Sequence, residues 1–242
     1  LSKTNHERFV VLLSGGQDST TCLYAALNAG AKHVCAVSIW YGQRHDVELQ
    51  AATDVLDRAR VDYPDVDIVA EHVNVGRVLV GTSPLVSDST LGQYDDISAL
   101  PDGVEPTFVP GRNLLFLTIA ANRAANCEAT CVVTGLCEAD FAGYYDCRRE
   151  FVDAAEVAIA QAFVGASEYI EVWTPLMSMS KAQSVEYAQG FKGCIDALSF
   201  SHTCYAGSVP PCGKCHACLL RVRGFDEAGI EDPLVLRLRK TA

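Results

Sequence analysis

Phe9-Val10-Val11-Leu12-Leu13-Ser14-Gly15-Gly16-Gln17-Asp18-Ser19 is the stretch that decides the fold. Five apolar residues in succession, without alternation, suit a strand covered on both faces. The run stops at two glycines, and a helical spacing of Leu23, Ala26 and Leu27 then leads to Gly30. Strand, glycine turn and helix follow one another. The first N–H groups of such a helix have no intrahelical acceptor, and the helix dipole favours an anion there. Ser14, Gly15, Gly16, Gln17, Ser19 and Thr20 are therefore expected to surround a phosphate group. Asp18 would repel a phosphate directly, so it is expected to hold the turn or a magnesium ion. The lysine of a Walker loop is absent, and so is the G-x-G-x-x-G spacing of dinucleotide sites.

The same alternation of elements continues outward. Val34 to Trp40 reads as a second buried strand. A helix from Asp46 to Arg60 has Val47, Ala51, Val55 and Ala59 on one face, with Asp46 as N-cap. Asp67 to Val73, Thr130 to Thr134 and Tyr169 to Trp173 read as further strands. Asn113 to Asn126 reads as a nearly all-apolar, buried helix, Glu150 to Phe163 as another, and Ser180 caps a third that runs to Gln189. Strands alternating with helices imply an α/β fold with a doubly wound parallel sheet. Residues 76–109 carry Pro, Gly, Ser and Asp without a period and read as a long loop or lid. The expected organisation is one α/β unit over residues 1–192 and a small C-terminal element over residues 193–242.

The chain has 242 residues, 49% of them hydrophobic, enough for one large core. No apolar run is long enough to span a membrane, and the N-terminus does not read as a secretory signal, so a cytoplasmic location is expected. Acidic residues outnumber basic ones 30 to 19, a net charge of −11. A nucleic-acid binder needs a basic face to neutralise phosphates, so this balance favours small-molecule substrates and no nucleic acid.

Eleven cysteines are present, an odd number at uneven spacing. Cys204, Cys212, Cys215 and Cys218 cluster, with two overlapping C-x-x-C spacings meeting at Cys215. Four thiolates make a closed tetrahedral site that usually holds structural zinc; an iron–sulfur cluster is the main rival. Lys214 and Arg221 are expected to offset part of the charge, with His202 and His216 as flanking residues. Cys22, Cys35, Cys127, Cys131 and Cys194 read as small buried hydrophobes.

Taken together, these runs resemble the 7-cyano-7-deazaguanine synthases (QueC family) of the PP-loop ATP pyrophosphatase superfamily, from about Phe9 to Pro233. The matching runs, in order, are Ser14 to Ser19; Tyr41-Gly42-Gln43-Arg44-His45; Phe108-Val109-Pro110-Gly111-Arg112-Asn113; Thr134-Gly135 with Glu138; Asp140, Gly143-Tyr144 and Asp146-Cys147-Arg148; Thr174-Pro175-Leu176 with Lys181; and the cysteine cluster followed by Leu220-Arg221 and Gly224-Phe225. The resemblance implies an adenine-nucleotide α-hydrolase fold. It also implies conversion of 7-carboxy-7-deazaguanine and ammonia to the nitrile, with ATP, Mg2+ and Zn2+ as cofactors and a homodimer as one assembly the family allows.

Roles follow as expectations. Asp18, Arg112 and Lys181 would serve the phosphates during the reaction. The guanine-like edge presents N–H donors and wants a carboxylate, for which Glu138, Asp140 and Asp146 are candidates. Phe141 or Tyr144 would stack on the ring, and Arg148 would pair with the substrate carboxylate. Asn113 is expected only to cap its helix, and Cys147 to be structural or beside the substrate rather than covalent. Trp40, Pro106 and Tyr145 depart from residues frequent in the family, which leaves open a variant that stops at the amide. A sulfur-inserting PP-loop tRNA enzyme and a zinc-ribbon binding protein with a vestigial glycine loop are the other readings.

Overall fold

The structure is a computed structural model; it describes residues 6–43, 47–101, 103–138, 143–163 and 169–241. Asp46, the expected N-cap, and Arg44 and His45 lie outside the described residues.

The opening apolar run becomes β1 (Arg8–Leu12), and the helix after the glycine turn is α1 (Gln17–Asn28). β2 (His33–Trp40), α2 (Val47–Asp62) and β3 (Asp67–Asn74) follow. After the long connection come α3 (Arg112–Asn126), β4 (Cys131–Val133), α4 (Arg149–Ala162) and β5 (Glu171–Trp173). The chain ends in α5 (Lys181–Gln189), α6 (Cys194–Leu198), α7 (His216–Glu227) and α8 (Pro233–Thr241). Among the described residues five strands form one sheet in the order β3-β2-β1-β4-β5, and every neighbouring pair is parallel.

β1 is central, which explains its unbroken hydrophobicity. Phe9, Val11 and Leu13 enter the core shared with α1, α2, α5, α6 and α7, whereas Val10 faces the opposite core with α3 and α4. Its partners alternate in step, with Val10 opposite Cys35 and Val132. The sheet is thus covered on both faces, as parallel sheets require. α3 is buried on one face only, through Leu117, Ala120, Ala121 and Ala124, while Leu114 is exposed. The expectation of an all-round buried helix is corrected: its composition is apolar, but the sheet covers one side.

The chain passes from β3 across to β4 on the far side of β1, which opens a crevice at the carboxyl ends of β1 and β4. The connection 76–109 holds no strand or α-helix among its described residues, only a 3-10 turn at Ile97–Ala99. It is pinned at several points. Ser83 Oγ donates to Thr107 O at 3.0 Å, and Tyr94 N–H donates to Lys214 O at 2.8 Å. α5 begins in a full capping box, Ser180 Oγ accepting from Gln183 N–H and Gln183 Oε1 from Ser180 N–H.

Buried Asp62 ties the helical layer together. It accepts from the Tyr24 hydroxyl at 2.7 Å and from Arg58 at 3.0 and 2.7 Å. Gly193, at φ +80°, opens α6 where a side chain would meet that carboxylate. Asp62→Ala is expected to cost about 2–3 kcal/mol, because a buried hydroxyl and a guanidinium lose their acceptor. Urea unfolding of the two proteins measures it; an unchanged midpoint would contradict the role.

Candidate active site

The Ser14–Ser19 turn sits at the crevice. Gly15 takes φ +84°, and a β-carbon there would strike the backbone of Glu48 and Ala52 in α2. Its glycine is required by helix packing, and Gly15 is not in the cavity wall. Gly16 is the N-cap of α1; beside its Cα lie Thr203 Cγ2 and His202 O. Ser14 and Ser19 hydroxyls contact each other at 3.1 Å. The Thr20 hydroxyl is buried and donates to Gly16 O at 2.9 Å, away from the cavity.

A cavity of about 320 Å³ opens over this turn. Its wall includes Ser14, Gly16, Gln17, Asp18 and Ser19, together with Arg112, Tyr144, Cys147 and Lys181. The charged side chains in the wall, among the described residues, are Asp18, Glu48, Arg112 and Lys181. Lys181 Nζ donates to both carboxylate oxygens of Asp18, at 2.9 and 2.8 Å, with the lysine side chain only 9% exposed. Two glycines make room for this pair. A β-carbon at Gly135 would meet Asp18, and one at Gly224 in α7 would meet Lys181 Cγ.

Arg112 opens α3, and its charge lies near the Tyr41 phenol in the cavity wall. Asn113 does not cap that helix as expected: the N-cap is Gly111, with no side-chain cap bond, and Asn113 lies in the first turn facing Asp146. Its Nδ2 donates to Asp146 O at 3.1 Å, and Asp146 Oδ2 accepts from Asn113 N–H at 3.3 Å. Burial pushes the Asp146 carboxyl above the usual range, and its Oδ1 has no partner, but the residue stands behind the wall. Tyr144 contacts Thr107 Oγ1 and donates to buried Glu105 at 3.4 Å, which fastens the long connection to the site. Burial raises its phenol to about 12.

The other residues expected at the substrate are placed differently. Glu138 accepts from Arg149 N–H at the start of α4, and Arg148 stacks on Tyr145; neither is in the cavity wall. Asp140 and Phe141 lie outside the described residues. Trp40, Pro106 and Tyr145 are also absent from the wall, so the departures from the family pattern do not touch the cavity.

The Cys204, Cys212, Cys215 and Cys218 sulfurs lie within 4.8 Å of one another, with Cys212 and Cys218 at 3.9 Å. A tetrahedral zinc with bonds of about 2.3 Å has sulfur–sulfur edges of about 3.8 Å, so the set fits a metal. Backbone N–H groups already point at the sulfurs: Cys215 N–H to Cys212 Sγ at 3.3 Å and Cys212 N–H to Cys204 Sγ at 3.4 Å. Arg221 does not offset the sulfur charge as expected. It forms a two-pronged pair with Asp232 at 2.6 and 2.9 Å and binds Ser201, Thr203 and Leu198 O. Lys214 reaches Asp95 instead.

Sequence reading missed how much of the wall this cysteine element supplies. His202, Thr203 and Tyr205 flank Cys204, and His216 and Ala217 lie between Cys215 and Cys218; all five line the cavity. Leu85 of the long connection lines it too. The Cys204-Tyr205 adjacency was the available signal, since a metal ligand fixes its chain neighbours.

A glycine turn at the switch point of an all-parallel sheet, backed by a carboxylate–lysine pair, defines an α/β fold of the kind that takes ligands at the carboxyl ends of its strands. The model of the family described as queuosine biosynthesis protein QueC matches residues 8–229, and the chain belongs to that family. A 7-cyano-7-deazaguanine synthase from Gloeobacter violaceus is 48% identical over 230 residues, covering 94% of this chain and 95% of the relative. Relatives of the same name from Chromobacterium violaceum and Laribacter hongkongensis are 46% and 47% identical, covering 100% and 96% of this chain and 99% and 96% of their own. No helix among the described residues is long and apolar enough to cross a membrane.

Cys147 lines the cavity, yet burial, with the Asp146 charge adding, raises its thiol to about 12. A raised thiol pKa keeps the group protonated and unreactive at neutral pH. Iodoacetamide at pH 7.5, followed by peptide mapping, is expected to leave Cys147 unmodified; its rapid alkylation would contradict this environment.

Proposed function

We propose that this protein converts 7-carboxy-7-deazaguanine and ammonia to 7-cyano-7-deazaguanine, consuming two ATP through an adenylated carboxylate and then an adenylated amide. The observation that carries this reading is the end-to-end match to relatives of that name. The geometry of the crevice supports it.

A carboxylate resists ammonia because its leaving group is oxide. Transfer of AMP to that oxygen makes a good leaving group, and ammonia then gives the amide. A second transfer, to the amide oxygen, lets it depart and leaves the triple bond. The turn needs only to hold the pyrophosphate that leaves. Ser14, Gly16 and Ser19 present main-chain and hydroxyl donors for it at the start of α1. Arg112, from across the cavity, is placed to neutralise charge that builds at the α-phosphate. Asp18 holds Lys181 at the turn, so the lysine's charge is fixed before the nucleotide arrives. Mg2+ enters with the ATP phosphates. Tyr144 offers an aromatic surface to the deazapurine. None of these steps uses a nucleophilic side chain, which agrees with the protonated Cys147.

Zinc is the proposed occupant of the four-sulfur site, where it would fix the wall residues from His202 to Leu220. Purified protein is expected to hold about one zinc per chain, and Cys215→Ser to lose it with a fall in melting temperature. Iron with visible charge-transfer absorption would overturn the assignment.

The chemistry has its own test. Oxygen-18 in the substrate carboxylate is expected to appear in AMP, with two ATP used per nitrile. Label in inorganic phosphate would contradict adenylation, and one ATP per accumulated amide would overturn the nitrile product. Arg112→Ala is expected to lower turnover by at least about a hundredfold with the fold retained; full activity would place the nucleotide elsewhere.

A further inference from the structure

Glu105 lies in the long connection, 3% exposed and outside the cavity wall. A buried carboxylate needs hydrogen-bond donors. Its Oε2 accepts from Thr107 N–H at 2.7 Å and from the Thr107 hydroxyl, and its Oε1 accepts from the Tyr94 hydroxyl at 3.5 Å. The Thr107 hydroxyl is buried and has one hydrogen to give. With that hydrogen on Glu105, Thr107 Oγ1 accepts from the Tyr144 hydroxyl that touches it. The Tyr144 hydroxyl also lies 3.4 Å from Glu105 Oε2. Its hydrogen is therefore directed at the Glu105–Thr107 pair, whichever oxygen takes it.

Packing holds the same two segments together. A β-carbon on Gly143 would strike Gly103 O and Val104 Cα, and the Phe108 ring lies 5.4 Å from the Tyr144 ring. Of the hydrogen-bonded groups, Tyr144 alone belongs to the cavity wall; Tyr94, Glu105 and Thr107 stand behind it.

We propose that Glu105 is a positioning residue that sets the affinity for the deazapurine by holding the Tyr144 ring in one orientation, an inference that rests on the proposed function. Glu105 touches neither substrate nor nucleotide. A ring fixed before its ligand arrives loses less conformational freedom on binding. The effect falls on the base that stacks on the ring, because the proposed function places the phosphates at the glycine turn. The anchor needs an acceptor and not a charge. Oε2 takes the Thr107 and Tyr144 contacts, while Oε1 meets only Tyr94. An amide with its oxygen at the Oε2 position turns its nitrogen to the Tyr94 hydroxyl, which accepts as well as donates.

Four variants test the role, with the KM for 7-carboxy-7-deazaguanine and the KM for ATP as readouts. Glu105→Ala and Tyr144→Phe are each expected to raise the deazapurine KM about tenfold and to keep the ATP KM within about twofold. Glu105→Gln is expected to stay within about twofold of the unaltered protein in both. Glu105→Ala combined with Tyr144→Phe is expected to give no further rise, since both remove one anchor. Equal rises in the two KM values, an unchanged deazapurine KM in Tyr144→Phe, additive losses in the double variant, or a Glu105→Gln as impaired as Glu105→Ala overturns the positioning role. If Glu105→Ala does not fold, Glu105→Gln and Tyr144→Phe decide. Absence of any turnover of 7-carboxy-7-deazaguanine by the unaltered protein overturns the proposed function and this inference with it, so the two failures are told apart.

Discussion

The ion pair between Asp18 and Lys181 is the joint on which the site depends. The lysine is buried, where an unpaired charge would be costly, and the partly exposed aspartate supplies its counter-charge from the crevice side. Four separate elements converge on it. Asp18 stands in the first turn of α1, Lys181 in the first turn of α5, Gly135 at the end of β4, and Gly224 in α7. The pair therefore fixes the glycine turn against both the central sheet and the C-terminal helices. An Asp in this turn that served only as a phosphate neighbour would be repulsive; paired, it becomes the anchor of a cation.

The cysteine element is a second consequence of the same convergence. It is a wall of the cavity as much as a staple for the chain end. Cys204 places His202, Thr203 and Tyr205 against the turn, and α7 begins at His216 with its ligands already committed. Arg221 then clamps the 198–203 segment to Asp232 and leaves the sulfur cluster to its N–H donors. On the other side, the long connection is tied to this element through Tyr94 and Lys214, and to the site through Glu105, Thr107 and Tyr144. A metal at the four sulfurs would hold the cavity wall and the covering segment in one arrangement.

What was legible in the sequence was local. The apolar run of β1, the Ser180 capping box and the C-x-x-C spacings each declare themselves within a few residues, because a buried strand, a cap and a metal knuckle are short-range solutions. Pairings across the fold were not legible. Lys181 lies 163 residues from Asp18; the family resemblance drew both toward the phosphates, but nothing in either neighbourhood says that they pair with each other. Gly15 read as a phosphate glycine, and nothing near it in the chain showed that a side chain there would also strike α2. Arg221 read as a counter-charge to the cysteines because they are close in sequence, but one turn of helix carries its guanidinium to Asp232. Helices α6, α7 and α8 were not anticipated; α6 spans only five residues, too few for a period to show.

The C-terminal element, through Gly224 of α7, makes room for Lys181 at Asp18 and so shapes the proposed nucleotide site. Gly224→Ala tests it most directly. Alanine favours a helix over glycine by about 1 kcal/mol, so helix propensity alone predicts a slightly more stable protein. A β-carbon at this position collides with Lys181 Cγ and must displace the lysine from Asp18. Calorimetry with ATP, alongside metal content, is predicted to show affinity weakened by at least about tenfold in a protein that retains its metal. Unchanged ATP affinity in the variant would contradict the account.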